Sequence, residues 1–312
     1  MIPRVVVAGN SRAAVEVLDL LVEAVPTDHL LAIAPPRAGR HAWQPSLAEH
    51  AGHRGVRCLQ PEDINGGDVV DMVAGHRADL LLSVYYTQIF RPPILGAVSG
   101  PALNFHPALL PRHRGTAPLV WAIVEGDERT GLTVHHVDDG VDTGPVIVQH
   151  PLPIHPDDTG FELHQKMALL VRATAADLLR RVVRGKPLPV GHEQVGPASV
   201  HRARDGRLNH LDWTAPAARV RNVVRALAAP LSPAYGLLDG ERLHFQRLDI
   251  VPADDARQKS PGMIEFPPGS QVPWVWAGDG PLAVRAYVED GEVIGGELLR
   301  QRRVVAEGEI LA

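Results

Sequence analysis

Cysteine is nearly absent: Cys58 is the only one in 312 residues. No intrachain disulfide can form, and a cysteine-based zinc cluster is excluded. Lysine is almost as scarce. Lys166, Lys186 and Lys259 are the only three among 31 basic residues, so arginine carries nearly all the positive charge. Against 36 Asp and Glu this leaves a net charge of −5, a balance that argues against a nucleic-acid or anionic-membrane binder. Long apolar runs are missing as well, since no stretch approaches the roughly 18–20 residues of a membrane span. The opening Met1–Asn10 lacks the apolar length and small-residue cleavage site of a secretory signal, so a cytoplasmic location is expected. There is no three-glycine dinucleotide fingerprint and no HExxH, which disfavours a Rossmann oxidoreductase. The 16 histidines do not show metal-ligand spacing. His135 and His136 are adjacent on an expected strand and face opposite ways, one buried and one exposed, so no metal is expected.

What is present is a chain of about two domains by length. Short apolar runs alternate with helix-period segments through the first two-thirds, the pattern of βαβ units on a parallel sheet. Strands are expected at Val5–Ala8, Leu30–Ala34, Val56–Leu59, Leu80–Tyr85, Pro101–Phe105, Leu132–Val137 and Val146–Gln149. A long helix pattern runs from a Thr159 cap to Val183 and stops at Gly185. The division expected is a catalytic domain over 1–185, a Pro- and Gly-bearing linker over 186–204 and a β-rich domain over 205–312. In that last domain a helix pattern follows Trp213, then short β-prone runs suggest a compact barrel.

Polar chemistry concentrates in two places. The first is Asn104-Phe105-His106-Pro107 with Leu110-Pro111 and Arg114-Gly115. It lies at the carboxyl end of an expected central strand, where open α/β sheets bind ligands. Asn104 and His106 are two residues apart and share one strand face. An amide donor and an imidazole converging on one point can stabilise an oxyanion, which acyl transfer demands. The second is Asp138-Asp139-Gly140-Val141-Asp142-Thr143-Gly144. Three carboxylates and two glycines in such a stretch make a tight polar turn. Asp142, preceded by apolar Val141 and followed by small Gly144, is the one expected to turn inward and orient the imidazole.

These motifs, in this order and spacing, resemble the folate-dependent formyltransferase family. The resemblance covers residues 1–185, and Asp205-Gly206-Arg207, Leu211-Asp212-Trp213 and Val224–Pro230 resemble the smaller C-terminal domain of Met-tRNA and amino-sugar formyltransferases. It implies an α/β, Rossmann-like catalytic domain with a mainly parallel sheet, followed by a small barrel-like (OB-like) β-rich domain. It also implies 10-formyltetrahydrofolate as the formyl donor. By the same resemblance, Asn104 and His106 would hydrogen-bond the formyl oxygen and then the tetrahedral oxyanion, Asp142 would orient His106, and the proton shed by the attacking amine would go to Asp142, directly or through water, or to His106. Tyr85, Gln88, Ile89 and Phe90, with backbone groups of Val137, Asp138, Asp139 and Gly140, would clamp the pterin. Asn10, Ser11 and Arg114 would meet the acceptor.

Acceptors within the family divide among Met-tRNA, amino-sugar nucleotides, glycinamide ribonucleotide, water and natural-product amines. Single-domain purine enzymes and deformylases lack the C-terminal region present here. A tRNA partner calls for a basic surface, whereas residues 205–312 hold 12 Lys and Arg against 15 Asp and Glu. Val84-Tyr85-Tyr86, Arg114-Gly115, Ala117-Pro118-Leu119 and Trp121 resemble the enzyme domain that formylates UDP-4-amino-4-deoxy-arabinose. A small amine is therefore the expected partner, an amino sugar or a natural-product amine, with no nucleic acid and no membrane, and with a homodimer implied by the resemblance. Formimidoyl transfer from a formimino-folate, Met-tRNA formylation and hydrolysis of the folate donor are the alternatives.

Overall fold

The structure, a computed structural model, describes residues 2–36, 43–202, 207–252, 259–302 and 304–312. In chain order its first elements are β1 (Val5–Gly9), α1 (Ser11–Ala24), β2 (Leu30–Ile33), α2 (Leu47–His53), β3 (Arg57–Leu59), α3 (Gly67–His76), β4 (Leu80–Val84), α4 (Pro92–Gly96) and β5 (Ala102–His106). There follow β6 (Arg114–Gly115), α5 (Pro118–Val124), β7 (Arg129–His136), β8 (Val146–Pro153), α6 (Gly160–Val183) and β9 (Val200–His201). Seven strands form one sheet in the order β3-β2-β1-β4-β5-β7-β8. The pairs from β3 through β5 are parallel and the last two, β5–β7 and β7–β8, antiparallel. Every residue of β1, β2 and β4 is buried, which is why these strands read as unbroken apolar runs. One face carries a core of Val6, Leu31, Ile33, Ile64, Leu81 and Ile94.

The strand order reverses between β1 and β4, so the carboxyl ends of these two strands open the crevice where such sheets place ligands. Gly9 permits close packing there. A Cβ on it would lie 2.5 Å from the Ala14 Cβ and 2.9 Å from the Val84 carbonyl oxygen. The cap expected for α6 is present as a full capping box. The Glu162 N–H donates to the Thr159 hydroxyl (3.3 Å), and the Glu162 carboxylate accepts from the Thr159 N–H (2.8 Å).

The second set of elements is α7 (Ala217–Leu227), β10 (Ala234–Leu238), β11 (Glu241–Ile250), β12 (Ile264–Glu265), β13 (Trp274–Trp276), β14 (Pro281–Glu289), β15 (Glu292–Gly295) and α8 (Glu297–Gln301). Its antiparallel sheet follows the order β10-β11-β14-β13-β12, with β15 paired to β14. The segment 308–312 joins the two ends of that path. It bonds Ile264 through Gly308 and Glu309 (2.9 and 2.8 Å) and Gly262 through Leu311 (2.9 Å), then exchanges two bonds between Ala312 and Leu237 (2.8 and 2.9 Å). This bridging closes the sheet in barrel fashion.

The chain divides into two compact units that do not follow the sequence-based boundaries. One comprises Met1–Pro118, Arg129–Pro153 and His164–His201; the other comprises Leu119–Glu128, Ile154–Leu163 and Arg202–Ala312. Most of the stretch expected to be a linker belongs to the first unit. Its Val200–His201 strand pairs in parallel with Arg114–Gly115, and His192 bridges Val146. Proline and glycine remove helical periodicity from this stretch without preventing it from pairing. The expected start of the β-rich domain, 205, and the adjoining Gly206 lie outside the described residues. In the second unit, Arg221 on α7 pairs with Asp157 (2.8 Å) and the Pro156 carbonyl (3.0 Å), and Arg225 donates to the Asp158 carbonyl (2.8 Å). Among the described residues no helix is long and apolar enough to cross a membrane.

Candidate active site

Strands β5 and β7 are antiparallel and set Asn104 opposite His135, and His106 opposite Thr133. Side chains opposed across a ladder share a face, so Asn104, His106 and His135 converge from two strands. Asp142 joins them from the turn after β7. Its Oδ1 accepts from the Asn104 amide at 3.0 Å, and its Oδ2 accepts from the Gly115 N–H at 2.8 Å and lies 3.5 Å from His106 Nδ1. The backbone of Asp142 is left-handed, with φ +53°. Such a conformation costs a non-glycine residue about 1 kcal/mol or more and persists where surrounding contacts hold it. The three residues named from the sequence as catalytic therefore stand together.

Proton positions follow from the partners. His106 Nε2 is 2.8 Å from the His113 carbonyl oxygen, which can only accept, so Nε2 carries hydrogen and Nδ1 has the lone pair when the ring is neutral. His135 Nδ1 faces the His136 carbonyl at 2.8 Å, so its Nε2 is an acceptor. That Nε2 is 3.1 Å from the Asn104 amide nitrogen. Asn104 thus points its NH2 at two acceptors, His135 and Asp142, and this settles which end of the amide is which. In this geometry the hydrogens on Asn104 and on His106 Nε2, expected to meet a formyl oxygen, are engaged within the protein.

Burial lowers the His106 imidazole below its ordinary value, against the opposing pull of the Asp142 carboxylate. Burial pushes the Asp142 carboxyl up, but the pull of the His106 imidazole and the Gly115 N–H help to outweigh it and hold the group at about 2. At neutral pH the pair is a neutral imidazole beside an ionised carboxylate.

The residues expected to hold the pterin divide. Tyr85, at the end of β4, has φ +59° and a buried hydroxyl without a partner; the Tyr86 hydroxyl is likewise unpartnered. Burial raises the Tyr85 phenol above its usual range, so it stays a donor. Gln88 is used in holding a loop: it accepts from the Ile64 N–H (2.7 Å) and donates to the Glu62 carbonyl (3.1 Å). Ile89 is exposed and gives its carbonyl to Asn65 (3.0 Å), whereas Phe90 lies within the core cluster, against which Val137 packs. The Asp138 carboxylate takes the Thr143 hydroxyl (2.8 Å) and the Gly140 N–H (3.1 Å), fixing the turn, and Asp139 and Gly140 are exposed.

On the expected acceptor side, Asn10 and Ser11 are buried at the start of α1. The Asn10 side chain accepts from the Ser11 N–H (2.9 Å), and Ser11 has φ +73° with an unpartnered hydroxyl. Arg114 donates through Nε and Nη2 to Gln194 Oε1 at 3.1 and 2.7 Å. Gln194 and His135 are the polar groups of the site that the sequence did not reveal as functional. His135 was signalled only by its parity on the strand, and Gln194 lay inside the expected linker.

Comparison with known proteins decides the family. The formyl transferase model matches residues 29–175 and the formyl transferase C-terminal domain model matches residues 207–297. The chain belongs to the folate-dependent formyltransferase family. It is 31 % identical over 280 residues to the methionyl-tRNA formyltransferase of Sorangium cellulosum, covering 89 % of this chain and 88 % of that one. It is 33 % identical over 261 residues to the corresponding enzyme of an Anaeromyxobacter species, covering 82 % of each. Its fold is similar to that of the N-formyltransferase from Helicobacter canadensis solved with folinic acid and dTDP-3-aminofucose. The TM-score is 0.69 at 18 % identity, covering 91 % of this chain and 99 % of that chain.

Proposed function

We propose that the protein transfers the formyl group of 10-formyltetrahydrofolate to the amino group of a small acceptor, an amino sugar or a natural-product amine. The observation that carries this reading is the Asn104, His106 and Asp142 cluster at the carboxyl ends of the sheet, with one neutral imidazole lone pair facing one ionised carboxylate. The buried, unpartnered hydroxyls of Tyr85 and Tyr86, which follow the carboxyl end of β4, fit a planar ligand that brings its own hydrogen-bonding groups. When bound, the donor supplies a formyl carbon carried on a nitrogen leaving group.

Each side chain then has a task. An acceptor amine must shed a proton as its nitrogen attacks the carbonyl carbon. His106 Nδ1 takes that proton, in place of a direct transfer to Asp142, because Nε2 is committed to the His113 carbonyl and Nδ1 carries the ring's one free lone pair beside the Asp142 carboxylate. Protonation turns the 3.5 Å contact with Asp142 Oδ2 into an ion pair, so the charge is stabilised where it appears. Asn104 turns an N–H from His135 or Asp142 toward the oxygen that gains negative charge. The proton on His106 is then available to the departing nitrogen. His106→Ala and Asp142→Ala should each lower turnover by at least ~10²-fold with folding intact by circular dichroism. Near-normal turnover in either variant would contradict the assignment.

Met-tRNA is the second reading, favoured by the 31–33 % identical relatives that carry that name. Against it stands charge. Residues 205–312 are net acidic, and Arg221 and Arg225 on α7 are engaged with residues 156–158 rather than free for phosphates. Mass spectrometry of a panel of amines and of charged initiator tRNA, each with the folate donor, separates the readings by which acceptor gains CO.

A further inference from the structure

Gln194 lies in residues 176–206, the stretch outside both matched family regions, yet its side chain reaches the reaction site. Its Nε2 donates to the carbonyl oxygens of Asp142 (2.8 Å) and Gly144 (3.0 Å), and its Oε1 accepts the Nε and Nη2 hydrogens of Arg114. A guanidinium only donates and a carbonyl only accepts, so the amide has one permitted orientation and all four contacts are used. Asp142 is thereby held at two points. Gln194 grips its strained main chain while the Gly115 N–H grips its carboxylate. Arg114 and Gly115 are consecutive in β6, which itself pairs with Val200–His201 from the same stretch of chain.

The partner of Arg114 is neutral. Among the described residues no carboxylate pairs with it, and its Nη1 has no protein acceptor. A half-buried guanidinium held rigidly by an uncharged amide keeps its full charge for a ligand.

We propose that Gln194 is a positioning residue that couples recognition of an anionic group on the acceptor, at Arg114, to the placement of Asp142. This rests on the formyl-transfer reading above and adds to it a substrate class, amines that bear a phosphoryl or carboxylate group. Replacement of Gln194 by Glu keeps the shape, but it neutralises Arg114 and turns an oxygen toward the Asp142 and Gly144 carbonyls. Gln194→Met keeps length and removes the hydrogen bonds without adding charge.

The full-length wild type and both variants are titrated with inorganic pyrophosphate and, separately, succinate, followed by calorimetry. His106 is titrated with pH by NMR in each protein. A parallel fluorescence titration with 5-formyltetrahydrofolate tests the folate reading alone: loss of binding there in the wild type refutes that reading, not the coupling. The wild type should saturate with at least one anion, pyrophosphate preference marking a phosphoryl acceptor and succinate preference a carboxylate one. Gln194→Glu should bind that anion at least tenfold more weakly, and in Gln194→Met the His106 midpoint should fall as Asp142 loses its hold. A purely structural Gln194 would lower the melting temperature and leave both readouts unmoved. Failure of the wild type to bind either anion overturns the proposal, as does a wild-type His106 midpoint in Gln194→Met, or in Gln194→Glu should the Met variant not fold.

Discussion

His106 and Asp142 respond to acid in the same direction, and the sign can be worked out for each. The His106 value is lowered in the folded protein, so its neutral form is favoured there. The unfolded chain takes up that proton more readily, and stability falls as pH drops below the unfolded value of about 6.5. Asp142 is depressed to about 2 from an unfolded value near 4. Its contribution is present above pH ~4 and is lost as pH falls toward 2, with a magnitude of roughly 2 kcal/mol for this largely buried group. Thermal melts from pH 7 to pH 3 should show Asp142→Asn losing less stability below pH 4 than the wild type. Turnover should decline on the acid side as His106 becomes protonated, with an inflection below 6.5. Much of this was legible beforehand. Parity on one strand put Asn104 and His106 on a single face, and apolar Val141 with small Gly144 singled out Asp142. What could not be read was the register that sets His135 opposite Asn104, because nothing local to either strand fixes it. Phe90 and Gln88 illustrate the converse: a ring and an amide suited to a ligand are used in the core and in a loop.

Elements place these groups through close packing at the switch between β1 and β4. Asn10 and Ser11 take their positions because Gly9 lets α1 start against the end of β4, where the Asn10 N–H donates to the Val84 carbonyl at 3.1 Å. Gly9→Ala would drive a methyl group into the Ala14 side chain and the Val84 carbonyl. The expected cost is about 1–3 kcal/mol, read as a lower urea midpoint with an unchanged slope. The sequence marked these elements well because parallel strands are continuous apolar runs and helix caps are local. It marked the 186–202 stretch poorly. Its strand is two residues long and finds its partner 86 positions back, a contact no periodicity announces.

At the scale of the whole molecule, the second unit depends on residues 308–312 to join strands that would otherwise be open edges. Leu311 is buried there. Removing 308–312 discards its burial, about 2 kcal/mol, together with the bridging bonds, so the melting temperature of that unit should fall by at least about 5 °C. Scanning calorimetry of the shortened chain provides the measurement, and an unchanged transition would show the bridge to be dispensable. The division of the chain into units has a different consequence. Because Leu119–Glu128 and Ile154–Leu163 belong with Arg202–Ala312, and Asp157 and the carbonyls of residues 156 and 158 hold the arginines of α7, the two units of this enzyme are not two contiguous blocks of sequence. A relative's C-terminal region grafted at residue 202 would arrive without the two short pieces that complete it. A chimera made with this chain should therefore keep its stability only when all three pieces travel together.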